Sequence, residues 1–554
     1  MKVVIIGGVA AGTKTAAKLL REDRSHQVQI ITKSKDISYA GCGLPYYVGH
    51  VIEHREQLIV NTPQSFTDLT GVSVTTQTEA VAIDREKKVV VAVDAVTGER
   101  KEYPYDKAVI AVGARPFIPP VEGVALKNVF TMRTPEDAVA LREAVDSGSI
   151  KRAVIVGGGF IGLRWAENLV SQGIRVTVID MAEHILPGFD SEMQEYVENH
   201  LAEQGIMSFT NTKLEGLEGT ESVEKVLTNR RPIKADAVIL AIGIRPNTEF
   251  IRDSGLDLRP NGTIRVSQSM QTNDPDIYAV GDCACVTDAV TGEPLWSPMG
   301  SSANIEGRIA ARHIAGKPVA YGGAVGTGIC KLPNLHVGRT GLTEVAARER
   351  GYDVVSALTA VNDKAHYYPG AGTMFIKLIA DRATRRLLGA QVLGTDKVDT
   401  VLDIAVTGLY GHATVDQLAD MDLAYAPPFS TAIHPFDHAI NVLLNKMEGA
   451  LQSFTPAEFR EGNAEGMKLS IPPRTEHRGG EYVDLTEVNG VPSAGIQTPK
   501  CCLSVQRGGE RICFKIVSTL WLHQYKGFEG DRVERRDLVR QPLLRQNGVI
   551  IWQC

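Results

Sequence analysis

Two stretches of the chain share one hydrophobic pattern. Residues 2–6 (KVVII) and 153–156 (AVIV) are unbroken β-branched runs. Such runs suit strands of a parallel sheet, buried on both faces. Each is followed by a glycine-rich turn, GGVAAG at 7–12 and GGGFIG at 157–162, and then by a stretch with helical spacing, TKTAAKLLRED and LRWAENLVSQG. Another apolar run closes each unit, VQIIT at 28–32 and RVTVID at 175–180. The pattern predicts two strand–turn–helix–strand units about 150 residues apart.

The turns carry candidate chemistry. In the second, Gly157, Gly159 and Gly162 have the spacing of a dinucleotide-binding loop. Glycines there permit the tight turn and close approach to a pyrophosphate, which the helix N-terminus attracts. Phe160 and Ile161 complete that loop. In the first, Gly7, Gly8 and Gly12 fit, Val9 takes the middle glycine position, and Ala10 and Ala11 follow. Two such loops imply two dinucleotides. Residues 105–116 (YDKAVIAVGARP) and 235–247 (ADAVILAIGIRPN) run from strand to glycine turn to Arg-Pro, as crossings between two domains would. DIYAVGDCA at 276–284 places Asp282 where it can accept from sugar or ribityl hydroxyls.

From about residue 325 strand-like and helix-like stretches alternate without a phosphate loop, which predicts an α+β domain to about 447. After 449 the texture becomes irregular and charged. Composition narrows the class. Lys plus Arg total 59 and Asp plus Glu 65, a net charge of −6, with no basic cluster for nucleic acid. No apolar run reaches 18 residues, so no membrane span is expected. The start reads as a strand and not as a signal peptide, which leads to the cytoplasm as the expected location. The eight cysteines lack paired CxxC spacing, so neither a disulfide framework nor a metal site is expected.

SYAGCGLPYYVG at 38–49 is the most specific segment. With both glycine loops, the two crossings and Asp282, it makes residues 1–447 resemble the single-cysteine branch of the pyridine nucleotide-disulfide oxidoreductases. That branch includes coenzyme A-disulfide reductases, NADH oxidases and peroxidases, and NADH-dependent persulfide reductases. The resemblance implies an α/β fold with two Rossmann-like domains. The FAD domain would take 1–114 and 246–325, the NAD domain 115–245, and an α+β dimerisation domain 326–447. It implies a homodimer. FAD would contact the first loop, Thr32, Lys33, Ala80, Ala111, Val112, Gly113, Asp282 and Ala303. NADH would contact the second loop, Asp180 and Gly243. Tyr367 and Tyr425 match active-site tyrosines, and Arg21 and Ser38 match positions that contact coenzyme A.

The chemistry itself can be read from residues. Two-cysteine reductases carry CxxxxC, but the position five after Cys42 is Tyr47. Cys42 must therefore act alone, as thiolate, sulfenic acid or mixed disulfide. Among glycines beside a helix start and a flavin, it should have a depressed pKa. The resemblance implies that helix 301–316 aims at the flavin pyrimidine, where its N-terminal dipole would stabilise the reduced, anionic flavin. Asp180, without an adjacent arginine, favours NADH over NADPH.

Departures from the family pattern are Thr32 in place of the usual ribose-binding Glu, Gly41 in place of Asn, Arg164 in place of Glu, and Val112 in place of Thr. Residues 450–554 faintly resemble a rhodanese, with Gly509 and Arg511 in a CxxGxR-like run but Gln506 at the cysteine position. The expected function is NADH-dependent reduction of a small disulfide, persulfide or polysulfide, coenzyme A-linked. The alternatives are an NADH oxidase or peroxidase and a flavin-binding redox sensor or scaffold.

Overall fold

The computed structural model describes residues 1–451, 453, 455 and 456, and beyond these only the backbone of four short strands. The chain divides into two compact units, residues 1–185 with 206–326, and residues 186–205 with 327–554.

The first unit holds two five-stranded sheets with all-parallel neighbours. One runs Ile277–Ala279, Lys107–Ile110, Lys2–Ile6, Gln27–Ile31, Ser73–Thr75. The other runs Met207–Phe209, Arg175–Ile179, Arg152–Val156, Ala237–Leu240, Val129–Phe130. Both central strands are the β-branched runs of the sequence pattern, and Ile5, Ile30, Val109, Ile155 and Val178 are fully buried. A three-stranded antiparallel sheet accompanies each, Thr78–Asp84 with Val89–Asp94 and Arg100–Pro104 in one case and Leu214–Glu218 with Lys225–Thr228 and Ile233–Lys234 in the other. The two expected crossings meet as a ribbon, with Arg245 opposite Arg115.

The second unit is built on an antiparallel sheet in the order Gly328–Leu332, Leu335–Gly341, Leu387–Gly394, Thr373–Asp381, Val354–Asn362. Helices Val398–Tyr410 and Pro435–Met447 bury apolar stripes, Val401, Leu402 and Ala405 on the first and Phe436, Ile440 and Leu443 on the second. This is α+β, as its texture predicts.

One boundary differs from the sequence expectation. Residues 186–205, which the resemblance places in the NAD domain, group with the second unit. The cause is a buried charge cluster. Lys377 Nζ lies 2.9 Å from Asp190, 2.7 Å from Glu192 and 2.9 Å from Glu344, and is 1% exposed. Burial alone would lower the Lys377 pKa, but the three carboxylates hold it above its ordinary value. Gln391 donates to Asp190 at 2.6 Å and Ser356 to Glu344 at 2.7 Å. Such a cluster is costly to break, so it fixes helix Ser191–Glu203 to the sheet.

Beyond residue 456, strands Lys468–Ser470, Cys501–Arg507, Glu510–Ile516 and Ile550–Trp552 pair antiparallel, with Gln506 opposite Arg511. The rhodanese-like assignment of 450–554 otherwise lies outside the described residues. Among the described residues no helix is long and apolar enough to cross a membrane.

Candidate active site

The two glycine loops obey the same geometry. Gly7 has φ +112°, and a Cβ there would lie 2.2 Å from the Ala111 carbonyl oxygen. Gly157 has φ +106°, and a Cβ there would lie 2.4 Å from the Ala241 oxygen. Only glycine fits either place. Gly12 and Gly162 come within van der Waals contact of the loop start, since a Cβ on each would meet the oxygen of Gly7 or Gly157 at 1.9 or 2.0 Å. This is the close strand–helix packing that the third glycine of a dinucleotide loop serves. Each loop opens a helix, Ala10–Glu22 with Val9 at the N-cap and Phe160–Ser171 with Gly159 at the N-cap. Nothing lies within 4 Å of a Cβ built on Gly159. Protein does not fill that side of the loop, as a pyrophosphate cradle requires. Ile161 is half exposed beside it, and Gly243 has φ +102° with nothing near its Cβ position.

Asp180 sits one residue past its strand. Its Oδ2 accepts from the Gly158 amide at 2.7 Å and its Oδ1 from the Ala182 amide at 2.9 Å. The carboxylate is thus pinned at the edge of the loop, where a ribose would lie. Met181 next to it is 75% exposed.

Around the first loop, Ala111 donates to Ile6 at 2.8 Å and so extends the pairing of Lys107–Ile110 with Lys2–Ile6 by one residue. Val112 and Gly113 follow and are tied to Asn247, which donates to the Val112 oxygen at 3.0 Å through its side chain and to the Gly113 oxygen at 3.0 Å through its amide. Asp282 lies in the turn Gly281–Cys283, with its carbonyl accepting from Trp296 at 2.9 Å. Arg133 approaches its carboxylate at 3.4 Å. Arg133 was not among the residues singled out from sequence. Its place beside Asp282 comes from tertiary structure, and TMRT carries no pattern that points to it.

Helix Gly300–Ile314 crosses Ala10–Glu22 closely, since a Cβ on Gly307 would be 2.7 Å from the Ala11 oxygen. Ala303 is buried on that helix. Glu306, three residues on and 1% exposed, accepts from the Gly281 amide at 2.6 Å. Burial pushes its carboxyl up to about 8, against the lowering effect of that amide.

Cys42 is exposed, in the short turn Gly41–Gly43 that leads into helix Leu44–Val48. The other cysteines with described side chains, Cys283, Cys285 and Cys330, are buried. Burial pushes the Cys283 thiol up to about 12, so it stays protonated. Tyr47 is 8% exposed, with the Arg142 guanidinium 4.3 Å above its ring. Arg142 also donates to the carbonyls of Tyr47, Ile52 and Glu53 at 3.1, 3.1 and 2.9 Å. Gln172 donates to Gly49 at 2.9 Å. These bonds fix the segment that follows the cysteine. Upstream, Ser38, at φ +50°, donates its amide to Gly8 at 2.8 Å, and its hydroxyl accepts from Asn61 at 3.4 Å. The cysteine loop is thereby tied to the first glycine loop, four residues before Cys42. Arg21 is exposed at the last turn of its helix and bonds its own Ala17 carbonyl at 3.0 Å.

In the second unit, Tyr367 and Tyr425 come together, although 58 positions separate them in the chain. The Tyr425 phenol is hydrogen-bonded to Tyr367, which raises its pKa. Both are exposed, at 66% and 49%, along with Phe429 and Ile433.

Residues 1–315 match the family model described as pyridine nucleotide-disulphide oxidoreductase, and residues 329–435 match the dimerisation domain of that family. Among curated relatives, the chain is 38% identical to a CoA-dependent NAD(P)H sulfur oxidoreductase of Pyrococcus abyssi, over 78% of this chain and 96% of that one. It is 34% identical to an NADH oxidase of Methanocaldococcus jannaschii, over 81% and 99%. Among solved structures, reduced Bacillus anthracis CoADR-RHD is 33% identical with a TM-score of 0.81, covering 84% of each chain. An NAD-dependent persulfide reductase from A. fulgidus is 37% identical with a TM-score of 0.80, covering 82% of this chain and 85% of that one.

Proposed function

The chain belongs to the pyridine nucleotide-disulphide oxidoreductase family, and from that premise we propose that it reduces a small disulfide, persulfide or polysulfide, coenzyme A-linked, with electrons from NADH. The observation that carries the reading is Cys42. It is an exposed thiol in a loop bonded to the first glycine loop, and a buried tyrosine stands where an internal disulfide partner would be.

The residues fit FAD at the first loop and NADH at the second. Both loops have the glycine geometry, and Gly159 leaves its cradle open. FAD held there would supply the two-electron chemistry that links NADH to sulfur. The chain's own residues do the rest. The Asp180 carboxylate accepts from the nicotinamide cofactor's adenosine ribose and disfavours a 2′-phosphate. Asp282, with Arg133 beside it, orients the ribityl chain. Ala80, Ala303, Lys33 and the residues 111–113 line the remainder of the FAD site.

The Cys42 thiolate attacks one sulfur of the acceptor. The S–S bond breaks, one thiolate leaves, and a mixed disulfide forms on Cys42. Two electrons and a proton then release the second thiol and restore the Cys42 thiolate. Arg142 and Gln172 hold the segment after Cys42 so that the sulfur keeps its position through both steps. Arg21 and Ser38 contact the coenzyme A moiety. The Tyr367–Tyr425 pair donates a proton to the departing thiolate, and in the homodimer it does so from the partner subunit. An unprotected thiol and an NADH supply suit the cytoplasm.

The lone thiol also supports an oxidase or peroxidase cycle through a sulfenic acid, and the Methanocaldococcus relative named NADH oxidase favours that second reading. The test is acceptor choice. With NADH in excess, initial rates are compared for coenzyme A disulfide, coenzyme A persulfide, hydrogen peroxide and oxygen. The proposal expects kcat/KM for a coenzyme A acceptor to exceed that for peroxide and oxygen by at least about a hundredfold. The reverse order would replace it with the oxidase reading. Bound flavin with no turnover on any acceptor would leave the scaffold.

A further inference from the structure

The two nucleotide units superimpose bond for bond at their strand ends. Gly7 donates to Ile31 at 2.8 Å, as Gly157 does to Ile179. Thr32 donates to Thr75 at 3.0 Å, as Asp180 does to Phe209. Thr78 donates to the Thr32 oxygen at 2.8 Å, as Thr212 does to the Asp180 oxygen. Even the hydroxyls agree, with Thr78 bonding the Thr76 carbonyl at 3.0 Å and Thr212 the Thr210 carbonyl at 2.9 Å. Thr32 therefore occupies the place of Asp180, the position whose acid accepts from an adenosine ribose.

The side chains differ at that place. A Cβ built on Gly158 would lie 3.4 Å from Asp180 Oδ2, and one built on Gly8 would lie 3.3 Å from Thr32 Cγ2. The methyl of Thr32 thus faces the loop where the second unit has a carboxylate oxygen. A methyl accepts nothing, and Thr32 is 7% exposed.

A carboxylate is nevertheless present nearby. Glu79 follows Thr78, which is bonded to Thr32. Lys33, the residue after Thr32, holds the Glu79 Oε1 at 2.9 Å. A surface ion pair of this kind contributes little to folding, with Lys33 71% and Glu79 47% exposed at their side chains. Its position is what matters. It joins the residue after Thr32, at the end of Gln27–Ile31, to the residue after Thr78, at the start of Thr78–Asp84, so each partner follows directly on the Thr32–Thr78 bond.

We propose that Glu79, oriented by Lys33, is the ribose acceptor for the adenosine half of FAD and replaces the acid that Thr32 lacks. The carboxylate keeps a second oxygen for a ribose hydroxyl while the first stays on Lys33. The role has moved from the strand end to the start of Thr78–Asp84, a strand of the accompanying antiparallel sheet. This rests on FAD filling the first loop, so the flavin absorbance of the purified wild-type protein is recorded first. A colourless protein would defeat that premise rather than the placement of Glu79.

The experiment is FAD release from the full-length holoenzyme on dilution, read as the rise in free-flavin fluorescence, for wild type, Glu79→Ala and the double variant Thr32→Glu with Glu79→Ala. A hydrogen bond to a charged acceptor corresponds to about a tenfold to hundredfold change in affinity. Glu79→Ala should weaken FAD binding by that factor, and restoring the acid at the strand end should recover at least about tenfold of it. A merely structural role for the pair would not be rescued from position 32. Release from Glu79→Ala within about twofold of wild type would overturn the proposal, and so would a loss that Thr32→Glu fails to restore. Unfolding midpoints at saturating FAD guard against a folding defect, because removing an exposed ion pair should leave them unchanged.

Discussion

Replacing Lys377 with Met should cost the second unit a large part of its stability, and the cost should shrink in acid. The ammonium is surrounded by Asp190, Glu192 and Glu344 at 2.9, 2.7 and 2.9 Å. Burial works to raise the Glu344 carboxyl, but Lys377, Ser356 and Arg348 outweigh it and hold the pKa at about 2, against an ordinary 4.5. A carboxyl lowered that far contributes roughly 3 kcal/mol, present above pH 4.5 and lost as pH falls through about 2. Removing one partner of a buried charge cluster costs about 3–5 kcal/mol, and three facing carboxylates put Lys377→Met at the upper end. In the variant Glu344 loses the ammonium that offsets its burial, and burial then favours its neutral form. Acid therefore relieves the variant, while the Glu344 contribution of the wild type stays in place down to about pH 4.5. Scanning calorimetry on the full chain at pH 7.5 and pH 5.0 reads this directly. At roughly 2–4 °C per kcal/mol, the transition of the second unit should fall by roughly 10–20 °C at pH 7.5 and by clearly less at pH 5.0. An equal loss at both values would mean that packing, and not charge, holds helix Ser191–Glu203, and a loss under about 1 kcal/mol would refute the cluster as its anchor.

Other expectations concern the cofactor sites. Gly159→Ala places a methyl where the protein has no neighbour within 4 Å, so stability should change by less than about 0.5 kcal/mol while KM for NADH rises about tenfold and flavin content stays at the wild-type level. Asp180→Ala removes a carboxylate that two backbone amides hold in place, and the kcat/KM ratio of NADH to NADPH should drop by about tenfold or more. Glu306, raised to about 8 by burial, stabilises the folded chain fully below pH 4.5 and loses that contribution as pH rises to about 8. Glu306→Gln keeps an acceptor for the Gly281 amide, so its unfolding midpoint should be flatter than that of wild type between pH 5 and 8; parallel curves would show that Glu306 does not titrate there.

Much of this architecture is written locally. The β-branched runs and glycine turns lie within thirty residues of one another, and their spacing alone identifies both nucleotide units. Cys42 stands out because Tyr47 occupies a position defined by counting. What escapes a reading along the chain is set by distant partners. Asp190 and Glu192 look like an ordinary helix cap and first turn until Lys377, 185 positions after Glu192, is placed between them, and so a reading along the chain does not group 186–205 with the second unit. Arg133 and Arg142 look like surface cations on a helix and its approach, yet one reaches Asp282 and the other clamps the helix after Cys42. The Thr32 departure was visible as a missing acid. The carboxylate proposed to replace it is not visible there, because Glu79 comes close only through the bonds of Thr78 to Thr32 and of Lys33 to Glu79.

The central claim is that one thiol, Cys42, carries electrons from the flavin to sulfur. Its most direct test is anaerobic oxidation of NADH by the full-length flavoprotein with coenzyme A disulfide or persulfide, measured for wild type and Cys42→Ser at matched FAD content. The account predicts rapid turnover by the wild type, and a loss of about a thousandfold or more in the variant, whose flavin is still reduced by NADH. Turnover that survives the loss of Cys42, or a wild type that consumes NADH only when air is admitted, would contradict it.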